Sequence, residues 1–163
     1  MRLLFLGDVV GGAGCTKIIN NLNNLIKKNK IDFVIVNAEN ADETGVGLTQ
    51  KICEDFFNSG VNVITTGNHV WDQKETADYI NSESRLLRPL NLFKPSPGKG
   101  FEVYKSKNGF NVGVLNLMGN VFMKKCDNVF ETAKEFLLKK KLKIDYDFLF
   151  VDFHGEITSE KTA

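Results

Sequence analysis

Asp32-Phe33-Val34-Ile35-Val36-Asn37-Ala38-Glu39-Asn40 is an apolar run that ends abruptly on amide and carboxylate side chains. Asp32 to Val36 reads as a strand buried on both faces, as in a parallel sheet. Working outward, the same grammar recurs on each side. Upstream, Leu3 to Leu6 is a short buried strand that ends in Gly7-Asp8. Downstream, Val61 to Ile64 is a strand that leads to Gly67-Asn68-His69. Helical periodicity fills the intervals. After a glycine-rich loop, Ile18, Leu22, Leu25 and Ile26 share one helix face. Thr49 is a good N-cap for a helix burying Ile52, Phe56 and Phe57, and Gly60 stops it. Asp72 and Glu75 have the spacing of a capping pair before Tyr79 and Ile80. Strands alternating with helices predict an α/β fold with a parallel sheet and crossovers on its faces.

Beyond residue 88 the pattern changes. All three prolines fall between Pro89 and Pro97, which marks a loop. Phe101 to Lys105 and Val112 to Leu117 flank Asn108-Gly109, a hairpin turn signal. A helix over about Val129 to Leu142 and a last strand from Phe148 to Asp152 follow. Residues 1–163 are expected to form one domain. The last strand is apolar enough to belong inside a sheet, yet little chain follows to cover it. The expectation is a fold incomplete at its C-terminus, with an uncovered edge prone to aggregation.

The chain has 163 residues, 42% hydrophobic and 25% charged, a soluble globular balance. Lys and Arg number 21 against 20 Asp and Glu, so no charge surplus favours nucleic acid or an acidic membrane. Lys27-Lys28-Asn29-Lys30 and Lys139-Lys140-Lys141 read as solvated helix ends. Cys15, Cys53 and Cys126 are odd in number and widely spaced, which fits a reducing, cytoplasmic setting. The apolar opening stops at Gly7-Asp8, too short for a signal peptide or a membrane span.

The chemistry lies where strands end. Gly7-Asp8, Asn37-Ala38-Glu39-Asn40, Gly67-Asn68-His69 and Asp152-Phe153-His154 each follow an apolar strand. The carboxyl ends of parallel strands open on one sheet edge, where ligand crevices form. A lone Asp8 would more often cap a helix, a lone Asn40 make a turn, and a lone His69 be an ordinary polar residue. Four strand ends bearing ligand-type side chains favour a site over these readings. Oxygen donors with imidazole suit Mn, Fe or Zn. A dinucleotide fold is the competitor, because Gly7, Gly11, Gly12 and Gly14 crowd the first turn. Its spacing fails: Lys17 stands where a third glycine should, and no Gly-Lys-Ser/Thr triplet exists for a P-loop.

Leu6-Gly7-Asp8-Val9-Val10-Gly11, Asn37-Ala38-Glu39-Asn40-Ala41, Thr66-Gly67-Asn68-His69-Val70-Trp71-Asp72 and Asp152-Phe153-His154 together resemble the YmdB-like family of calcineurin-type metallophosphoesterases. The resemblance extends to Leu87-Arg88-Pro89 and Thr158-Ser159-Glu160-Lys161. It implies an α/β/β/α sandwich and a phosphodiesterase acting on 2′,3′-cyclic nucleotides with two divalent ions, iron or manganese. Carried over by position, Asp8 and Asn40 would hold the first ion, Glu39 would bridge, Asn68 and His154 would hold the second, and His69 would donate a proton.

The chain departs from that pattern at Cys15, where the family usually has Arg, in the longer loop Asp42 to Gly47, and at Leu90, where a small residue is usual. The family also supplies a His-x-His pair, one ligand per metal, and the two histidines here are His69 and His154. The chain alone is therefore expected to be a weak enzyme. The alternative is a non-catalytic metal- or nucleotide-binding module. The expected partner is a small phosphodiester, and monomer or homo-oligomer stays open.

Overall fold

The computed structural model describes all residues, 1–163. The element order is β1 (Leu3–Leu6), α1 (Gly11–Asn29), β2 (Phe33–Asn37), α2 (Gln50–Ser59), β3 (Val63–Thr65), α3 (Thr76–Ser82), β4 (Phe101–Lys105), β5 (Asn111–Met118), α4 (Val129–Lys139), β6 (Phe148–His154) and α5 (Thr158–Thr162). Two three-stranded sheets result, ordered β1-β2-β3 and β4-β5-β6. The first is wholly parallel. In the second, β4 pairs antiparallel with β5, and β5 parallel with β6.

The alternation of side chains along β2 explains the layering. Val34 and Val36 turn toward α1 and α2, into a core with Leu22, Cys53 and Phe56. Phe33 and Ile35 turn the other way and meet Val112 and Val114 of β5. Leu115 and Leu117 pack with Val129 and Phe136 of α4 on the outer face of the second sheet. The architecture is helix, sheet, sheet, helix, as the resemblance implies, and β2, paired on both sides and covered on both faces, has every residue buried.

Thr49 caps α2 by accepting from the Ile52 amide at 3.3 Å, and Gly60 ends it at φ 109°. Asn128 caps α4 by accepting from the Phe130 and Glu131 amides, both at 3.0 Å. That helix stops at Lys139 instead of Leu142, because Asp145 draws both the Lys141 amide and the Lys140 ammonium into a turn. The hairpin falls as expected, with Gly109 at φ 82°.

Three expectations are corrected. The glycine-rich loop is the first turn of α1: Gly11 takes φ 62° while its amide donates to Asn40 O at 2.8 Å, which leads the chain from strand into helix. Leu3–Leu6 is not a buried strand but the edge of its sheet, with Phe5 38% exposed. The apolar Phe148 strand is an edge too, as its uncovered end leads one to expect, with Val151 42% exposed. The two open edges lie side by side, since the Phe5 and Phe150 rings are 5.1 Å apart. Asp72 and Glu75 do not form a capping pair. Glu75 accepts from the Gln50 amide, and Asp72 is engaged by His69 and Lys124.

Polar groups also join the sheets. Asn116 of β5 is fully buried, accepts from the Thr66 amide at 3.0 Å and donates to Asp152 O at 3.4 Å. Asn116→Ala is expected to cost about 1–3 kcal/mol, because the Thr66 N–H would be stranded in the core. Urea denaturation checks this, and an unchanged midpoint would refute it. Arg88 is buried without a carboxylate partner and spends its guanidinium on the carbonyls of Pro89 and Pro97, at 2.8 and 3.0 Å, holding the proline loop in place.

Candidate active site

Asp8 follows β1, Glu39 and Asn40 follow β2, Asn68 and His69 follow β3, and His154 ends β6. The first three strands share one sheet and point the same way, so their carboxyl ends deliver side chains to one edge. β6 runs parallel to β5 in the other sheet and brings His154 to that edge across the seam. His154 Nε2 lies 2.8 Å from Glu39 Oε1 and 3.1 Å from Asn68 Oδ1. Asn40 Nδ2 donates to Asp8 Oδ1 at 2.9 Å and reaches Glu39 Oε1 at 3.5 Å. The five residues read as metal donors are thus joined in one continuous set of contacts. His69 stands beside them through its backbone, whose amide donates to Glu39 Oε2 at 3.2 Å.

The His69 ring turns elsewhere. Its Nδ1 is 2.6 Å from Asp72 Oδ2, while Lys124 donates to the other oxygen of Asp72 at 2.9 Å. The hydrogen bond to His69 and the Lys124 ammonium hold the Asp72 carboxyl below its ordinary range. Sequence reading missed this pairing because three-residue spacing before a helix also fits a cap. A carboxylate left unused by the helix was the signal.

Burial and charge compete at His154. Desolvation acts to lower its pKa, but the Glu39 hydrogen bond and the charges of Glu39, Asp152 and Asp8 outweigh it, and the imidazole ends raised. Asp152, beneath it, is pushed up by burial against hydrogen bonds from Thr65 and Asn37, the latter at 2.8 Å. Asp152 points into the sheet seam and serves as a second support that sequence reading passed over.

The donor set suits a hard or borderline divalent cation: two carboxylates, two amides and one imidazole. No three of the His, Cys, Asp and Glu side chains gather into a metal cluster on their own, so any ion here would also have to draw on the amides of Asn40 and Asn68. Asn40 Oδ1 is buried and has no hydrogen-bond partner. An orphan acceptor beside two carboxylates is a position that a cation would satisfy. Gly67 leaves the necessary room: a Cβ there would fall within 2.6 Å of His154 Cγ and nearer still to Glu39 Oε2. Asp8 adopts φ 50°, an uncommon conformation that often accompanies functional sites. An open cleft of about 380 Å³ flanks the set, lined by Asp8, Asn37, Asp152, His154 and Lys161 among others.

The segment 119–127 borders the same place. Gly119 N donates to His154 O at 2.9 Å, and Glu160 of α5 accepts from the Asn120 and Val121 amides at 2.8 and 3.1 Å. The segment returns through Lys124 to Asp72, and Asn91 fixes its far end at Asp127 O, 3.0 Å away. No helix of the chain is long and apolar enough to cross a membrane.

Known proteins match throughout. The chain is 42% identical over 163 residues to a protein of Bacillus subtilis (strain 168) named 2′,3′-cyclic-nucleotide 2′-phosphodiesterase, covering all of this chain and 60% of that one. It is 41% identical over 169 residues to a Mycoplasma pneumoniae putative phosphatase/phosphodiesterase, of which it covers 58%. Among solved structures, a hypothetical protein from Thermus thermophilus superposes with a TM-score of 0.89 at 33% identity, covering 99% of this chain and 61% of that one. A novel phosphatase from Mycoplasma pneumoniae gives 0.88 at 40% identity, covering 99% and 58%. The chain therefore spans about three-fifths of the length of these relatives. The profile described as YmdB-like protein matches residues 4–163, on the same strand-end blocks that converge at the site, and the chain belongs to that family.

Proposed function

We propose that this chain carries the catalytic edge of a metal-dependent phosphodiesterase acting on 2′,3′-cyclic nucleotides or related phosphoesters. The observation that carries the reading is the meeting of His154 with Glu39 and Asn68, at 2.8 and 3.1 Å, across the seam between two sheets. The printed names of the relatives support the substrate class. Asp8, Glu39, Asn40, Asn68 and His154 are the residues that would hold two divalent ions, iron or manganese, with Glu39 shared. Such ions lower the pKa of a bound water and polarise phosphoryl oxygens.

The chain's own groups do the rest. With Nδ1 committed to Asp72, the His69 ring keeps Nε2 as the nitrogen free of protein partners. A hydroxide bonding to phosphorus, its water proton already released to solvent, would displace the ribose oxygen, and His69 would give that departing oxygen its proton. Lys161 is the cationic side chain of the flanking cleft and can offset phosphate charge.

The test is metal content and hydrolysis of 2′,3′-cyclic AMP after loading with Mn²⁺ or Fe²⁺. Sub-stoichiometric metal with weak phosphomonoester release is expected of this chain, and Glu39→Ala should lose nearly all metal because the shared ligand is gone. Metal retained in Glu39→Ala would remove Glu39 from the set. Metal bound with no hydrolysis would favour the non-catalytic binding module.

A further inference from the structure

We propose that Phe122 is a stacking platform for the base of the nucleotide, and so a specificity-determining residue; this rests on the phosphodiesterase reading above. Phe122 is 85% exposed, the most exposed large hydrophobic side chain of the molecule. It also sits at φ 61°, a left-handed backbone conformation that disfavours a bulky aromatic. The other non-glycine residues with positive φ are Lys30, which ends α1, Lys143, in the turn before β6, and Asp8, at the candidate site.

Neither feature of Phe122 comes from a loose loop. One root of its segment is fixed beside His154 by the Gly119 amide and by Glu160. Two residues further on, Lys124 is tied at 2.9 Å to the Asp72 carboxylate that holds His69. Met123, between them, packs partly buried against the main core. Phe122 is therefore presented outward by a segment that contacts His154 directly through Gly119 and reaches His69 only through the Asp72 carboxylate held by Lys124. A strained, water-exposed aromatic on a segment anchored beside His154 has a use if a flat ligand completes its surroundings. Nucleobases present such a face, and stacking on aromatics tolerates any base. The selection it implies is for nucleotides over sugar phosphates, with little discrimination among bases.

The experiment compares Kd values, by calorimetry with Mn²⁺ present, for adenosine 3′-monophosphate and for the base-less methyl riboside 3-phosphate. The variants are Phe122→Gly, which suits the backbone angle and removes the ring, and Phe122→Trp, which keeps a platform. Phe122→Gly is expected to melt no lower than the wild type, to weaken the nucleotide by about 5- to 100-fold, and to leave the base-less ligand unchanged. Phe122→Trp should retain nucleotide affinity. Equal changes for both ligands in Phe122→Gly, or weakened nucleotide binding in Phe122→Trp, would overturn the assignment. If the wild type bound neither ligand, the phosphodiesterase reading would fall and the assignment with it. If it bound both equally, only the stacking role would fall.

Discussion

Gly67→Ala is expected to disable the site while adding a single methyl group. That Cβ would meet His154 Cγ at 2.6 Å, and would approach Glu39 Oε2 and His154 Cδ2 more closely still. Contacts this short cannot be relieved by a small rotation, because Glu39 is 1% exposed and His154 is wedged between Glu39 and Asn68. Either side chain must leave its place, which separates the carboxylate from the imidazole. We expect loss of most bound metal and of turnover, with about 1–3 kcal/mol lost from overpacking. Gly12→Ala is the control: its Cβ would meet only Glu43 Cγ at 3.8 Å, and site properties should not change. Metal analysis and thermal melting of the two variants decide the matter. Wild-type metal content in Gly67→Ala would mean that the contact between Glu39 and His154 is not part of the site.

His69→Ala is expected to separate chemistry from assembly. The ring makes its contact with Asp72, whereas the Glu39 contact comes from the His69 backbone amide, which alanine keeps. In a full-length protein the variant should retain metal and lose about 10²–10⁴-fold in turnover, the usual worth of general acid catalysis. Asp72→Asn should lose less, since the ring would be less well oriented but still present. Paired measurements of metal content and kcat check this. An emptied site in His69→Ala would make the imidazole a ligand instead of a proton donor.

Most of the fold was legible because its signals are local. Thr49, Gly60 and Asn108-Gly109 act through hydrogen bonds and dihedral angles within a few residues, and each does what its chemistry predicts. The four strand-end blocks were legible because parallel strands must open on one edge. What escaped were choices made by distant partners. Leu3–Leu6 has the composition of an interior strand, and composition says nothing about whether a neighbour is present to pair with it. Asp72 had two local options, cap or histidine partner, and Lys124 of a later segment favours the second. The glycines before α1 looked like a loop because glycine is a poor helix former. Gly11, hydrogen-bonded to Asn40 O, starts the helix all the same.

The seam between the sheets has a consequence for how the molecule comes into being. Asp8, Glu39, Asn40 and Asn68 belong to the first half of the polypeptide, but His154 is separated from Asn68 by 86 positions, and Asp152 from Asn37 by 115. Closing loops of that length is an entropic burden that long-range topologies meet late. On a ribosome the carboxylates and amides emerge well before the imidazole of His154. A cation captured at that stage would be held by oxygen donors alone. Nitrogen would enter the set only once β6 has docked, so if the site holds ions, the nascent and the folded chain would select them by different rules.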